Sequence, residues 1–267
     1  MATGVLPLLV GKGTLCSKYL INHDKIYNVK LQLGTKTDTA DSEGNIIEQK
    51  EVKEEKLSQN AVEKTLNDFI GKQEQIPPMY SAIKVNGKKL YEYARKNEKV
   101  EVKSRQIEIY KMELIKLDLK ENIIKFKVRC SKGTYIRTLC EDIAEKLNTY
   151  GYMKELQRTE VGDFKIENAI TIGELEELVN ENKLKDKINE EALNIVNSKD
   201  RKYFIKIEEL FMDKKIINLD EDLLNKFLNG VMIKNNNIDG IYRIYNKNNY
   251  IGIGVNKNQK LKRDVIV

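Results

Sequence analysis

"IIKFKVRCSKGTYIRTLCEDIAEKL", residues 123–147, changes its hydrophobic period halfway along, and that change sets the fold class. Ile124, Phe126, Val128 and Cys130 alternate with Lys125, Lys127 and Arg129, which is the period of two of a half-buried strand. Ser131-Lys132-Gly133-Thr134 breaks it. From Tyr135 onward the apolar residues Ile136, Leu139, Cys140, Ile143 and Leu147 fall on one helical face, predicting a helix over 135–147. Arg137 then sits in the first turn. A helix N-terminus carries positive partial charge, so a cation there is unfavourable unless an anion faces it. Two readings stay open at this point: an arginine in solvent, or one aimed at a carboxylate or phosphate.

Upstream, "KIYNVKLQLG" (25–34) reads as a strand, and "TKTDTADSEGN" (35–45) as a polar loop rich in turn formers. "NAVEKTLNDFIGK" (60–72) predicts a helix with Asn60 and Glu63 as its capping box and Gly71 as its stop. In "QIPPMYSAIKVNGKKLYEYARK" (75–96), Pro77-Pro78 extends the backbone, "YSAIKV" predicts a short strand, and Asn86-Gly87 signals a tight turn. A short helix "KKLYEYARK" follows. Residues 105–119 and 122–130 predict a hairpin, and 151–164 a strand that ends in a glycine turn. Helices are expected at 171–181, with Thr171 and Glu174 as the box, and at 189–196. From about 214 come a strand "KIINL", a helix "DEDLLNKFLNG" and three short strands, the pattern of a small appended β-barrel.

Composition narrows the function. The 267 residues carry 47 Lys and Arg against 41 Asp and Glu, a net charge of +6 that favours a polyanionic partner only weakly in so lysine-rich a chain. Cys16, Cys130 and Cys140 lack CxxC spacing and His23 is the only histidine, so no metal site is expected, and the odd cysteine count suits a reducing cytoplasm. No apolar run reaches the length of a membrane span.

Five ordered stretches carry a resemblance: "ATGVLPLLVGKGT" (2–14), "DKIYNVKLQLGTKTDTADSEG" (24–44), "QIPPMYSAIKVNGKKLYEYAR" (75–95), "CSKGTYIRTLCEDI" (130–143) and "LQRTEVGDF" (156–164). Together they resemble the tRNA pseudouridine synthase B family, which isomerises a uridine in the T loop of tRNA. Gln157 departs from the family, which usually has two arginines after the leucine matching Leu156. The resemblance implies an α+β pseudouridine synthase fold, a mixed and largely antiparallel sheet with flanking helices, over 1–210. It also implies a PUA-like RNA-binding barrel over 214–267. The implied partner is the T arm of tRNA, bound by a monomeric cytoplasmic protein that needs no cofactor, metal or membrane.

By the same resemblance, Tyr27 stacks on the flipped base, where an aromatic platform contributes about 1–3 kcal/mol. A strand tyrosine packed in the core is its plainer reading. Tyr135 and Leu156 line the substrate site, and Arg137 pairs with the catalytic aspartate. Lys84, Lys88, Lys89 and Lys132 lie on segments the family places near RNA, although solvation is the ordinary role of any one lysine.

The family's nucleophilic aspartate stands in a stretch of the type G-H-T-G-x-L-D-P-[LM]-A-T-G, two residues before the position of Met1. It is absent from this sequence. Asp38, Asp41, Glu141 and Asp142 are assigned no catalytic role. The expectation is a chain lacking its family's N-terminal segment, through start-site choice or truncation rather than evolved loss of chemistry. As written it should be inactive and less stable, with Arg137 uncompensated and no N-terminal strand to seed the sheet. The alternative is a tRNA-binding or RNA-folding protein that has lost catalysis.

Overall fold

The computed structural model describes residues 2–53, 55, 57–181 and 203–267. The chain divides into two compact units, Met1–Pro7 with Ile21–Glu167, and Leu8–Leu20 with Asn168–Val267.

The first unit is built on a mixed sheet of strands β1 (Ala2–Gly4), β2 (Lys25–Leu33), β5 (Gly71–Gln75), β8 (Arg105–Asp118), β9 (Ile123–Cys130) and β10 (Gly151–Val161). Their order is β1-β10-β2-β9-β8-β5, with a short β11 (Phe164–Lys165) paired to β10. Only β1 runs parallel to its neighbour, and the other pairs are antiparallel. Small hairpins are formed by β3 (Thr35–Thr37) with β4 (Ile46–Gln49), and by β6 (Lys84–Val85) with β7 (Lys88–Lys89).

Alternation decides what the sheet buries. Val29, Leu31 and Leu33 of β2 and Ile124, Phe126 and Val128 of β9 share one face. Two helices cover it: α2 (Gln59–Asn67) through Val62 and Leu66, and α4 (Ile136–Lys146) through Ile136, Leu139, Cys140 and Ile143. Burying a side chain of this size contributes about 1.5–3 kcal/mol. The helix predicted over 135–147 is thus α4, shorter by a residue at each end.

Local details differ from the sequence reading. The cap of α2 is Ser58, whose hydroxyl accepts from the Ala61 amide, so Asn60 lies inside the helix. Gly71 does not stop α2. It opens β5 at φ +117°, after a turn over residues 68–70. The strand expected over "YSAIKV" shrinks to Lys84–Val85, because Asn86 and Gly87, at φ +51° and +82°, turn the chain at once into β7. Helix α3 spans only Leu90–Ala94. The polar loop of 35–45 contains β3 as well as the turn that follows it.

The N-terminal expectation is also corrected. Ala2–Gly4 is a strand, and Val5 donates to the Arg158 carbonyl beyond it. Gly4 is at φ +117°, and a Cβ there would lie 2.1 Å from the Arg158 oxygen, so only glycine permits this approach.

In the second unit, α1 (Ser17–Leu20) follows a 3-10 turn, and α5 (Ile172–Glu181) begins at the expected box. There Glu174 accepts from the Thr171 amide at 2.8 Å and its own amide donates to the Thr171 hydroxyl at 3.2 Å. The helix expected at 189–196 lies outside the described residues. The C-terminal strands β12 (Ile216–Asn218), β13 (Ile233–Lys234), β14 (Gly240–Asn246), β15 (Asn249–Lys257) and β16 (Lys260–Ile266) form a sheet in the order β12-β14-β15-β16-β13. With α6 (Glu221–Leu228), capped by Asp220, it encloses Ile217, Phe227, Ile244 and Leu261, in keeping with a PUA-like barrel.

Candidate active site

A cavity of about 410 Å³ opens in the first unit where five stretches of chain meet. β1 contributes Ala2, β2 contributes Tyr27, the turn after β3 contributes Asp41, Ser42 and Glu43, the start of α4 contributes Tyr135 and Arg137, and β10 contributes Leu156. Register explains the convergence on the sheet. Leu156 is opposite both Ala2 and Val29, and Arg158 is opposite Tyr27 and Gly4.

Tyr27 projects from the same side of β2 as Val29 and Leu31 and is half-buried against the core. Burial pushes its phenol above the ordinary value, with Arg158 opposing through a hydrogen bond. The Arg158 Nε also donates to the Val5 carbonyl at 2.8 Å, so one guanidinium ties the stacking candidate to the end of β1.

The first turn of α4 is held from outside the helix. Tyr135 occupies the cap position without capping through its own side chain. Instead Gln75, buried at the end of β5, accepts from the Tyr135 amide at 2.8 Å and donates to its carbonyl at 3.1 Å. That satisfies a helix-end group that would otherwise be stranded.

Arg137 does have an anion opposite. Its Nη1 lies 3.1 Å from Asp41 Oδ2 and donates to the Thr39 carbonyl at 3.2 Å, while Nη2 donates to the Tyr80 carbonyl at 2.7 Å. The expected uncompensated arginine is therefore corrected. Each side chain of the pair is 21% exposed, and such a pair is costly to break because the survivor stays partly desolvated. Asp41 is itself fixed: its other oxygen accepts from the Thr39 hydroxyl at 2.7 Å and the Glu43 amide at 3.1 Å. Arg137 thereby pins two loops to α4, the turn of 38–45 and the segment around Tyr80.

Tyr27, Tyr135, Arg137 and Leu156 are thus brought together. Lys84 and Lys132 are not among the cavity's lining residues. Lys132 donates to Asn22 at the end of the sheet, and Lys84 is exposed in the β6–β7 hairpin. That hairpin leads into a cluster of stacked cations, with Lys88 over the Tyr93 ring and both Lys89 and Arg95 over Tyr91. Sequence reasoning set Asp41 aside and passed over Arg158 and Gln75. Asp41 left a signal in the turn-rich "DTAD", whereas Gln75 left none.

The sheet with its covering helices, and a cavity lined by a half-buried tyrosine and a fixed arginine, define a pseudouridine synthase architecture. Solved structures agree at the level of fold. A Cbf5–Nop10–Gar1 complex superposes with a TM-score of 0.64 at 18% identity, over 100% of this chain and 71% of that one. An H/ACA RNP bound to a substrate RNA containing 2′-deoxyuridine gives 0.61 at 18%, over 99% and 71%.

Sequence comparison gives the family. Residues 1–136 match the N-terminal domain of TruB family pseudouridylate synthases, 137–198 the tRNA pseudouridylate synthase B C-terminal domain, and 216–262 the pseudouridine synthase II TruB C-terminal domain. The tRNA pseudouridine synthase B of Clostridium kluyveri is 39% identical over 98% of this chain and 84% of its own length. That of Caldanaerobacter subterraneus subsp. tengcongensis is 40% identical over the same shares. The chain belongs to the TruB family of pseudouridylate synthases.

Proposed function

We propose that this protein isomerises the T-loop uridine of tRNA to pseudouridine, as a monomer in the cytoplasm. The observation that carries the reading is the convergence of Tyr27, Tyr135, Arg137 and Leu156, from three separate motifs, on one cavity. The reaction breaks the bond between uracil N1 and ribose C1′, turns the base, joins C5 to C1′ and moves the C5 proton. It is redox-neutral and draws on no cofactor or metal.

The target base must leave its stack, at a cost of a few kcal/mol. Tyr27 replaces the lost stacking. Tyr135 and Leu156 flank the base and sugar, and Arg137 presents a fixed positive charge to a carboxylate at C1′. An arginine within about 4–6 Å keeps such a carboxylate ionised.

Among the described residues three carboxylates line the cavity, Asp41, Glu43 and Glu155, and the family resemblance gives none of them the nucleophile's place. Asp41 is committed to Arg137, Thr39 and the Glu43 amide, and the carboxylate of Glu155 is paired with Lys30. The family's nucleophile position falls just ahead of Met1, adjoining Ala2 at the cavity wall. The 267-residue polypeptide is therefore expected to capture its RNA without turnover, the behaviour of the alternative RNA-binding reading. The same polypeptide preceded by a G-H-T-G-x-L-D-P segment is expected to isomerise it.

The test is binding of tRNA carrying 5-fluorouracil at the T-loop position, compared with an unrelated hairpin of equal length. Preference for the tRNA, weakened steeply by salt as counterions are released, supports the reading. Equal affinities would remove it.

A further inference from the structure

The face of the sheet turned away from the cavity is built differently, and the register of its strands gives the arrangement. Ile26, Asn28 and Lys30 of β2 alternate with the inward Tyr27, Val29 and Leu31, and Lys125, Lys127 and Arg129 of β9 alternate with Ile124, Phe126 and Val128. Lys125 lies directly between Lys30 on β2 and Lys116 on β8. Arg129 lies opposite Lys111. Directly opposed side chains on neighbouring strands have Cβ atoms about 4.5–5.5 Å apart, and like charges placed so are destabilising.

The acids on this face do not cancel the row. Glu155 pairs with Lys30, Asp118 with Lys116, Glu113 with Lys111 and Asp24 with Arg129, and Glu113 also stands opposite Lys127 in the strand register. Lys125 and Lys127, on the central strand β9, are in no ion pair among the described residues. Along β9 the three cations recur about every 6.7 Å, a step that successive phosphates of a sugar–phosphate backbone can follow. Nothing here forms a shaped pocket, so the ligand is recognised by charge and spacing alone.

We propose that this outer sheet face is a second, sequence-independent RNA site that holds a phosphate backbone on Lys30, Lys125, Lys127 and Lys116. It goes beyond the T-loop reading and stands without it, because Lys30, Lys125, Lys127 and Lys116 are not among the cavity's lining residues. The arriving phosphates relieve the lysine–lysine repulsion that the strand register imposes, and they release counterions. Lysine suits the task, as a point charge on a flexible stem that makes no demand on base or orientation.

The test uses the 267-residue protein, a labelled RNA hairpin without a T-loop sequence, and unlabelled tRNA as competitor. At low salt the hairpin is expected to remain bound after one equivalent of tRNA has filled the cavity. The triple variant K30Q/K125Q/K127Q is expected to lose hairpin affinity about tenfold or more. Its log–log salt slope should fall by about 2–3, close to one for each phosphate contact removed. Binding of 5-fluorouracil tRNA should be retained, which separates this outcome from failure of the cavity reading. K30R/K125R/K127R, with the charges kept, should bind the hairpin as the parent does and controls for loss of fold. Complete displacement of the hairpin by one equivalent of tRNA would overturn the proposal. So would unchanged hairpin binding by the glutamine variant, or capture of poly-glutamate in preference to the hairpin.

Discussion

The two faces of the catalytic sheet handle charge in opposite ways. On the inner face, beneath α2 and α4, the ion pair at the cavity is fixed by several bonds on each side. Arg137 has Asp41 and two carbonyls, and Asp41 has a hydroxyl and an amide besides. On the outer face the cations are more numerous and loosely paired, and Lys125 faces lysine on both sides. The difference follows from desolvation. A charge that leaves water must be matched geometrically, whereas a charge left in water is screened and can stay available to a mobile partner.

The contrast breaks most visibly at Arg137. Arg137→Ala should destabilise the first unit by about 3 kcal/mol, because Asp41 would remain partly buried without its cation. Urea denaturation would read this as a lower midpoint at unchanged slope. Arg137→Lys should recover only part, since one ammonium cannot reach Asp41 and both loop carbonyls as a planar fork does. A loss below about 0.5 kcal/mol for the alanine variant would place the pair with ordinary surface ion pairs.

Tyr27 comes next. Tyr27→Ala should weaken capture of 5-fluorouracil tRNA by about 1–3 kcal/mol, and Tyr27→Phe by much less, since stacking needs the ring and not the hydroxyl. Equal binding by all three proteins would return Tyr27 to a purely packing role.

A smaller effect is expected at Asp142 on α4, where burial, with Glu145 adding to it, raises the carboxyl to about 6. The folded protein then holds a proton that the unfolded chain, near 3.9, has released. This group's contribution to stability is therefore greatest below about pH 4, falls as pH rises to about 6, and stays low above. Asp142→Asn should stabilise the protein by about 1–2 kcal/mol at pH 8 and by little at pH 4. Melting curves at the two pH values would check it. A shift of the same size at both would mean the aspartate acts by shape alone.

On the outer face, stability should respond least. Lys125→Gln should change it by no more than about 0.5 kcal/mol, with any gain disappearing as salt is raised.

How far these features could be read in the sequence depended on how local their causes are. The strand-to-helix switch at 123–147 and the Thr171–Glu174 box were legible, because period and capping act over a few residues. So was the grouping of Tyr27, Tyr135, Arg137 and Leu156, through ordered motifs, since all four line the cavity. The Asp41 partnership was not, since 96 residues separate it from Arg137 and only the β3–β4 turn brings them together. Gln75 was hidden for the same reason, as a buried amide that caps a helix 60 residues away. Capping of α2 by Ser58 was missed where two polar candidates stood close together. The lysine row across β2, β9 and β8 could not be seen before register was known, because period alone places each lysine outward without saying which strands adjoin.

Mapping pseudouridine in a tRNA transcript after incubation tests the central claim most directly, using the protein extended at its N-terminus by a G-H-T-G-x-L-D-P segment. The account predicts conversion of the T-loop uridine by the extended protein, none by residues 1–267 alone, and a severe loss on adding Arg137→Ala. Conversion at another position, or equal conversion by the unextended chain, would contradict it.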